Sequence, residues 1–208
     1  MTKWFLIGLL SFAFASPALA DVVGSGTGFV IPDNNPAGVS STITFSDDLV
    51  ITGNLVVTLT GLTHTWVGDV TATLIAPNST SHTLFFRIGK TTPAGTGDSS
   101  DFNGTYIFSD AATGDIWAEA AARNQISALA PGAYRTTAEG SPVFTTMDSV
   151  FAGLSTQGDW TLRMADLSGG DSGGLVGWSL SMSAGPEPNS LTLLALAGLT
   201  LVAKRRRR

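Results

Sequence analysis

The residues with the clearest chemical potential lie in the glycine-rich string GGDSGG at positions 169–174. A serine in such a loop can act as a nucleophile if a histidine takes its proton and a carboxylate orients that histidine. The sequence contains two histidines, His64 and His82, so the base for Ser172 would have to be one of them. The string therefore indicates either a hydrolytic site or a loop whose residues serve the fold.

Aspartate is the second chemical feature, because most of the 16 acidic residues are Asp and many lie beside glycine or asparagine in predicted loops. Oxygen-rich loops of this kind suit calcium better than softer metals. We predict that Asp69, Asp110, Asp166 and Asp171 lie at sheet ends and share a calcium ion. Aspartates also cap turns and keep proteins soluble without any metal, and the spacing alone leaves both interpretations open.

The elements that must position these residues are short β-strands, indicated by alternating apolar and polar residues. Many short strands with Gly, Asn and Asp turns are typical of an all-β fold, and we predict an antiparallel sandwich of jelly-roll type. The runs 70–74 and 82–88 are separated by only a few turn residues, among them Pro77-Asn78, and this spacing predicts a hairpin. The predicted strands span residues 43–45, 55–59, 70–74, 82–88, 160–164 and 178–182, the last two framing the GGDSGG loop.

Two other local patterns are informative. Trp160 and Trp178 alternate with leucine and methionine on one strand face, which predicts core positions rather than sugar-stacking positions. Trp66, in a predicted loop, is the better candidate for an exposed contact. Residues 115–129 are rich in alanine, and Asp115 is placed to cap a short helix there.

A series of short strings extends over residues 40–183: His64–Val70, Thr73–Asn78, Thr83–Leu84, Phe102–Thr105, Gly132–Arg135, Phe151–Gly153, Gly158–Leu162, Asp166, Gly170–Leu175 and Trp178–Leu180. Their order and spacing together resemble the P domain, also called P/Homo B. This module follows the catalytic domain in kexin- and furin-type proprotein convertases and in many bacterial subtilases. The resemblance implies a jelly-roll β-sandwich, in agreement with the alternation of apolar residues.

The resemblance also bears on the GGDSGG string. The family pattern at this place is Gly-Asp-x-Gly-x-Leu-x-x-Trp, in which Ser172 falls at a variable position. GDSGG also surrounds the nucleophilic serine of trypsin-like proteases, but the chain is shorter than a two-barrel enzyme of that type, and His64 lies in a P-domain string. The sequence contains no recognisable subtilisin-like catalytic domain. We therefore predict that the chain is not an enzyme.

Residues 1–20 have the pattern of a secretory signal peptide. A basic start precedes an apolar run over residues 4–14 and an A-x-A ending at Ala20. We predict cleavage by signal peptidase between Ala20 and Asp21. An uncleaved anchor is the alternative, although the run is shorter than the roughly 20 residues that span a bilayer.

Residues 186–208 begin with Pro186-Glu187-Pro188, continue with the apolar run 191–203 and end in five basic residues. This arrangement resembles the PEP-CTERM sorting signal of Gram-negative bacteria, which implies processing by an exosortase near the PEP motif. It predicts export across the inner membrane, transient membrane anchoring, and then release to or attachment at the cell surface. A plain tail anchor with a basic flank is the alternative.

Residues 21–185 remain as one domain, long enough to bury a sizeable core without cysteine, which the chain lacks. This domain has five basic and 15 acidic residues, a net charge of −10. Such a charge argues against nucleic acid as a partner, because nucleic acid requires positive potential.

Three functions agree with these observations. The first is a noncatalytic surface or matrix module that binds exopolysaccharide or another matrix component. The second is an accessory to, or remnant of, a subtilisin-like serine endopeptidase, with a separate subtilase as partner. The third is a structural surface protein that self-assembles.

Overall fold

The computed structural model describes residues 19–123 and 127–186. Most of the predicted signal peptide, together with Glu187, Pro188 and the remainder of the predicted sorting signal, lies outside the described residues. The described part contains nine strands and two short helices: β1 (Ala20–Ile31), β2 (Asn35–Phe45), β3 (Val50–His64), β4 (Val70–Ile75), β5 (Ser81–Phe86), β6 (Phe102–Ser109), α1 (Ile116–Ala122), β7 (Gly132–Tyr134), α2 (Met147–Phe151), β8 (Gly158–Asp166) and β9 (Gly173–Gly185).

The strands form two sheets that face each other. One has the order β1-β9-β3-β6-β7 and the other the order β2-β8-β4-β5. All the strand pairs in the described residues are antiparallel except β6 with β7. The chain crosses repeatedly from one sheet to the other, as in a jelly roll. The predicted all-β sandwich is confirmed, and so is the predicted hairpin, which β4 and β5 form.

The core lies between the sheets and follows the predicted alternation. In β3, Leu55, Val57 and Leu59 are fully buried, while the residues between them are partly exposed. Trp160 and Trp178 are 0% and 2% exposed, which confirms their predicted core positions. Replacing an aromatic residue of such a core by alanine typically destabilises a protein by about 3–5 kcal/mol.

Strand β1 was not predicted, and its glycines explain why. Its inward positions include Gly24 and Gly26, so it lacks the apolar alternation that marks a strand. A Cβ on Gly26 would lie 2.0 Å from Nε1 of Trp178, so the strand can cross this ring only without a side chain. The core thus requires glycine at the positions where a strand pattern would show apolar residues.

The first helix confirms the predicted cap. Oδ1 of Asp115 accepts hydrogen bonds from the backbone N–H groups of Trp117 (2.9 Å) and Ala118 (3.1 Å). The helix ends at Ala122, so it occupies only the first half of the alanine-rich segment. The second helix, α2, was not predicted, because five residues are too few to show a helical period.

The two ends of the domain lie side by side, since Ala20 of β1 pairs with Ala184 of β9. The predicted cleavage site between Ala20 and Asp21 thus coincides with the start of β1, and Pro186 directly follows β9. Neither helix of the described ranges is long and apolar enough to cross a membrane.

Candidate functional site

The GGDSGG string connects β8 to β9, and its glycines have steric reasons. Gly170 adopts φ +114°, a conformation that side chains disfavour. A Cβ on Gly173 would lie 1.9 Å from the carbonyl oxygen of Thr63 on the adjacent strand β3. Ser172, between these glycines, is exposed. Two glycines of the loop therefore have local reasons: the backbone conformation at Gly170 and the close approach to β3 at Gly173.

His64 ends β3 and Asp166 ends β8, and their side chains meet between the two sheets. Both side chains are 0% exposed, and Nε2 of His64 lies 3.2 Å from Oδ2 of Asp166. Nδ1 of His64 accepts the backbone N–H of Trp66 (3.2 Å), and Oδ1 of Asp166 accepts that of Ser168 (3.0 Å). The pair thus joins strands of different sheets and fixes the loops that follow them.

This geometry leaves Ser172 without a base. Both ring nitrogens of His64 have partners, and the ring is closed off from the solvent that surrounds Ser172. On strand β4, Val70 pairs with Asp166 and Leu74 pairs with His82. His82 therefore lies four residues along the sheet from Asp166, a distance of roughly 13 Å. The string therefore lacks the neighbouring histidine that a serine nucleophile needs.

Asp69 is buried in the same corner as the His64–Asp166 pair. Its Oδ1 accepts a hydrogen bond from Nη2 of Arg87 at 3.0 Å, and Nε of Arg87 donates to the Gly68 carbonyl at 2.8 Å. Burial raises the pKa of Asp69 against the opposing effect of Arg87, and the charges of Asp166 and Asp171 add to the rise. The charges of Asp166 and Asp171 therefore both act on Asp69, and we call these three residues the acidic corner.

A cleft of about 170 Å³ opens beside the acidic corner; its lining comprises Trp66, Asp69, Thr96, Ser168, Gly169 and Asp171. Asp171 is partly exposed and accepts a hydrogen bond from the Thr65 hydroxyl at 2.8 Å. The half-buried indole of Trp66 is held in place by its Nε1–H, which donates to the Thr96 carbonyl at 3.0 Å. We refer to this feature as the Trp66 cleft.

Asp110 does not belong to the acidic corner. Its two carboxylate oxygens accept the backbone N–H groups of Met147 and Asp148, each at 2.9 Å, and so cap the start of α2. Its charge also acts on His82, whose pKa is lowered by burial and raised by Asp110, with burial dominant. The four aspartates predicted to share one ion are thus divided, three in one corner and one at a helix.

The acidic corner also fits a calcium ion poorly. Within residues 19–123 and 127–186, no group of three or more His, Cys, Asp or Glu side chains is placed to hold a metal. Each carboxylate of the corner already has an internal partner, whereas calcium takes six to eight oxygen ligands. Calcium binding stays a prediction from the sequence.

A small surface hairpin was not predicted from the sequence. Residues 137–144 form a small hairpin, closed by a bridge between Thr137 and Phe144. Val143 and Phe144 at this hairpin are 63% and 38% exposed. The available signal was Gly140, which adopts φ +63° in the turn, but a single glycine does not distinguish a hairpin from a loop.

No protein-family model and no curated protein matches the sequence. Among solved structures, the chain is similar to the serine protease of Aeromonas sobria (TM-score 0.47) and to a chain of the complex of that protease, ASP, with the chaperone ORF2 (TM-score 0.48). Identity is 17% in both. The matches cover 83% and 81% of this chain but only 28% and 27% of the others, so the chain spans little more than a quarter of their length. A likeness at this level is no basis for assigning an activity or a partner.

Proposed function

We propose that this chain is a noncatalytic P-domain-like module that binds another macromolecule, and that a separate subtilisin-like serine protease is its first candidate partner. The observation that carries the proposal is the His64–Asp166 contact. His64 and Asp166 belong to two of the P-domain-like sequence motifs and lie 102 residues apart in the chain. Their contact joins the two sheets. His64, one of the two candidate bases for Ser172, therefore serves the sandwich itself.

The surface of the described residues offers two shallow clefts. The Trp66 cleft measures about 170 Å³, and a second cleft beside Pro77 and Leu154 about 280 Å³. A rigid sandwich with exposed loops and shallow clefts is suited to contacts with a large partner.

The noncatalytic part of the proposal is tested with a fluorophosphonate probe that labels activated serines. We expect the full chain and the Ser172→Ala variant to give the same background labelling, because Ser172 has no base. Saturable labelling that maps to Ser172 and disappears in the variant would contradict the proposal.

The partner part is tested by co-expressing the chain with each exported subtilisin-like protease of its source organism. We expect one of these proteases to co-elute with the chain in size-exclusion chromatography and to accumulate in higher yield. An unrelated exported β-sandwich serves as the control. Separate elution and unchanged yield for every protease would remove the subtilase from the proposal.

A matrix polysaccharide is the second candidate partner, favoured by the Trp66 cleft. An accessible indole beside carboxylates and carbonyl groups offers a stacking surface and hydrogen-bond acceptors for a sugar. If so, the chain will co-sediment with the organism's own extracellular matrix, and Trp66→Ala will abolish this while Ser172→Ala, in the neighbouring loop, will not. Equal sedimentation of both variants would argue against the cleft.

Export and sorting complete the proposal. We propose that signal peptidase cleaves before Asp21 and that an exosortase processes the chain near Pro186. Mass spectrometry of the protein recovered from the cell surface and the medium tests both positions. An intact N-terminus or an intact basic tail on the recovered protein would contradict the corresponding step.

A further inference from the structure

The hairpin at residues 137–144 is firmly attached to the domain. The backbone N–H of Ala138 donates to the Val143 carbonyl at 2.8 Å, and the N–H of Thr145 donates to the Thr136 carbonyl at 3.0 Å. Thr136 and Thr137 are fully buried, and Oγ1 of Thr136 lies 2.9 Å from Nε2 of His82. A hairpin held in this way needs little ordering when a partner binds it.

The surface of this hairpin combines apolar and cationic groups. Val143 and Phe144 are among the exposed large apolar residues, and the guanidinium carbon of Arg135 lies 4.5 Å from the centre of the Phe144 ring. Such a stack fixes the plane of the guanidinium and is stabilised by attraction between the cation and the ring. Arginine and aromatic residues are also enriched among the residues that dominate binding energy at protein interfaces.

Arg135 differs from the other cations of the described ranges. Arg87, Lys90, Arg123 and Arg163 all donate to a carboxylate or to backbone carbonyl oxygens. Arg135 alone among these five has no oxygen acceptor; its Nε is buried without a hydrogen-bond partner, so a partner can reach only the two terminal nitrogens of the guanidinium. A guanidinium that can form a bidentate pair with a carboxylate has thus been left unpaired in a domain of net charge −10.

We propose that Arg135, Val143 and Phe144 form a docking surface for a protein partner that presents a carboxylate beside apolar side chains. The carboxylate pairs with the unpaired guanidinium, and the apolar side chains cover the exposed valine and phenylalanine. This inference rests on the proposed function as a macromolecule-binding module, and it specifies the chemistry of the surface that such a partner must offer.

The test uses two capped tripeptides as probes, acetyl-Leu-Asp-Leu-amide and acetyl-Leu-Asn-Leu-amide, which differ only in the charge of the central side chain. NMR spectra of the full chain are recorded during titration with each peptide. We expect saturable shifts of residues 135–145 with the Asp peptide and at least about fivefold weaker binding of the Asn peptide, because only the carboxylate pairs with the guanidinium.

Variants separate the contributions of charge and apolar contact. Arg135→Gln should bind both peptides equally, and Val143→Ser should weaken the binding of both. Arg163→Gln is the matched control, because its guanidinium already donates to the carbonyls of Ala37 and Pro36 on the sheet surface, and it should leave the preference unchanged. Equal affinity of the unmodified chain for both peptides, or shifts confined to other parts of the domain, would overturn the inference.

The same variants distinguish this inference from the proposed function. If a co-eluting protease is found, Arg135→Gln should weaken its binding at least about tenfold, as expected of a central interface arginine. An undiminished complex would overturn the docking surface while the accessory function stands. Peptide preference without any protease complex would support the surface and reject the subtilase as its partner.

Discussion

The two histidines occupy buried positions of opposite character. His64 contacts the carboxylate of Asp166 directly, between the two sheets, with both side chains closed off from solvent. His82 contacts the hydroxyls of Thr136 and Thr145, and the nearby carboxylate of Asp110 is used by backbone N–H groups of α2 instead. One histidine thus has a carboxylate as its partner, and the other has two hydroxyls.

Residue type alone does not decide the role of a histidine with an aspartate nearby. In the corner of His64, removing the carboxylate would leave a buried polar ring without its partner. At His82, burial lowers the pKa of the ring, because the charged form would lose its hydration and the charge of Asp110 compensates only in part. The hydrogen bonds of the His64 arrangement contribute to stability, and the lowered pKa of His82 makes stability depend on pH.

The largest expected effect is that of Asp166→Ala. The variant leaves Nε2 of His64 and the backbone N–H of Ser168 without their acceptor, and each buried polar group left unpaired usually costs about 1–3 kcal/mol, so we expect a loss of about 3 kcal/mol in the free energy of unfolding measured by urea titration. Asp171→Ala is the control in the same corner: it removes one hydrogen bond at a partly exposed site and should cost less than about 1.5 kcal/mol. Equal costs for the two variants would show that the pair is not the centre of this corner.

The next effect is that of Asp110→Ala, which removes the cap of α2. We expect a loss of about 1–2 kcal/mol in the same measurement, because two backbone N–H groups lose their acceptor. Thr146→Ala is the matched control. Thr146 is the N-cap residue of α2, but its side chain makes no capping hydrogen bond, so its replacement should matter less. A larger loss for Thr146→Ala would contradict the role given to Asp110.

A smaller effect is the pH dependence due to His82. Because its pKa is lowered in the folded state, the unfolded chain binds more protons, and stability falls as the pH drops below the ordinary value of 6.5. One proton accounts for at most about 1.4 kcal/mol per pH unit. Urea titrations between pH 8 and pH 5 should therefore show a steeper loss for the native chain than for His82→Gln. All other titratable groups are the same in both proteins, so the difference between the two curves reports on His82; parallel curves would count against the effect.

The smallest expected effect is that of calcium. Because each carboxylate of the acidic corner has an internal partner, we expect the same melting temperature in millimolar calcium and in EGTA. Binding to the folded state alone would raise the melting temperature. A rise of several degrees that Asp171→Ala removes would establish a calcium site in spite of the present contacts.

Much of the fold could be predicted from the sequence, because a strand shows its period of two residues locally. The alternation around Leu55–Leu59, Trp160 and Trp178 placed three strands and their inward faces correctly. The cap of α1 was predictable for the same reason, since Asp115 acts on residues two and three positions away. Strand β1 escaped prediction because contact with Trp178 requires glycine at Gly26.

The site residues could be named but not assigned to partners. Asp69, Asp166 and Asp171 do lie together, while Asp110 lies with a helix that starts 37 residues later in the chain. The register of the strands decides which aspartates meet at one end of a sheet. Composition and spacing do not reveal that register. The unpaired state of Arg135 was equally invisible, because it depends on the absence of an acceptor in three dimensions.

By itself, the sequence determined an acidic, cysteine-free β-sandwich with a tryptophan-containing core, because charge and alternation are properties of short segments. Only the tertiary structure decided that GGDSGG lies against β3 without a base, that His64 is closed off by Asp166, and that Arg135 remains free beside Phe144. The physical reason is that the burial of a side chain and its hydrogen-bond partners depend on residues far away in the sequence. The packing of the two sheets decides which of those residues come into contact.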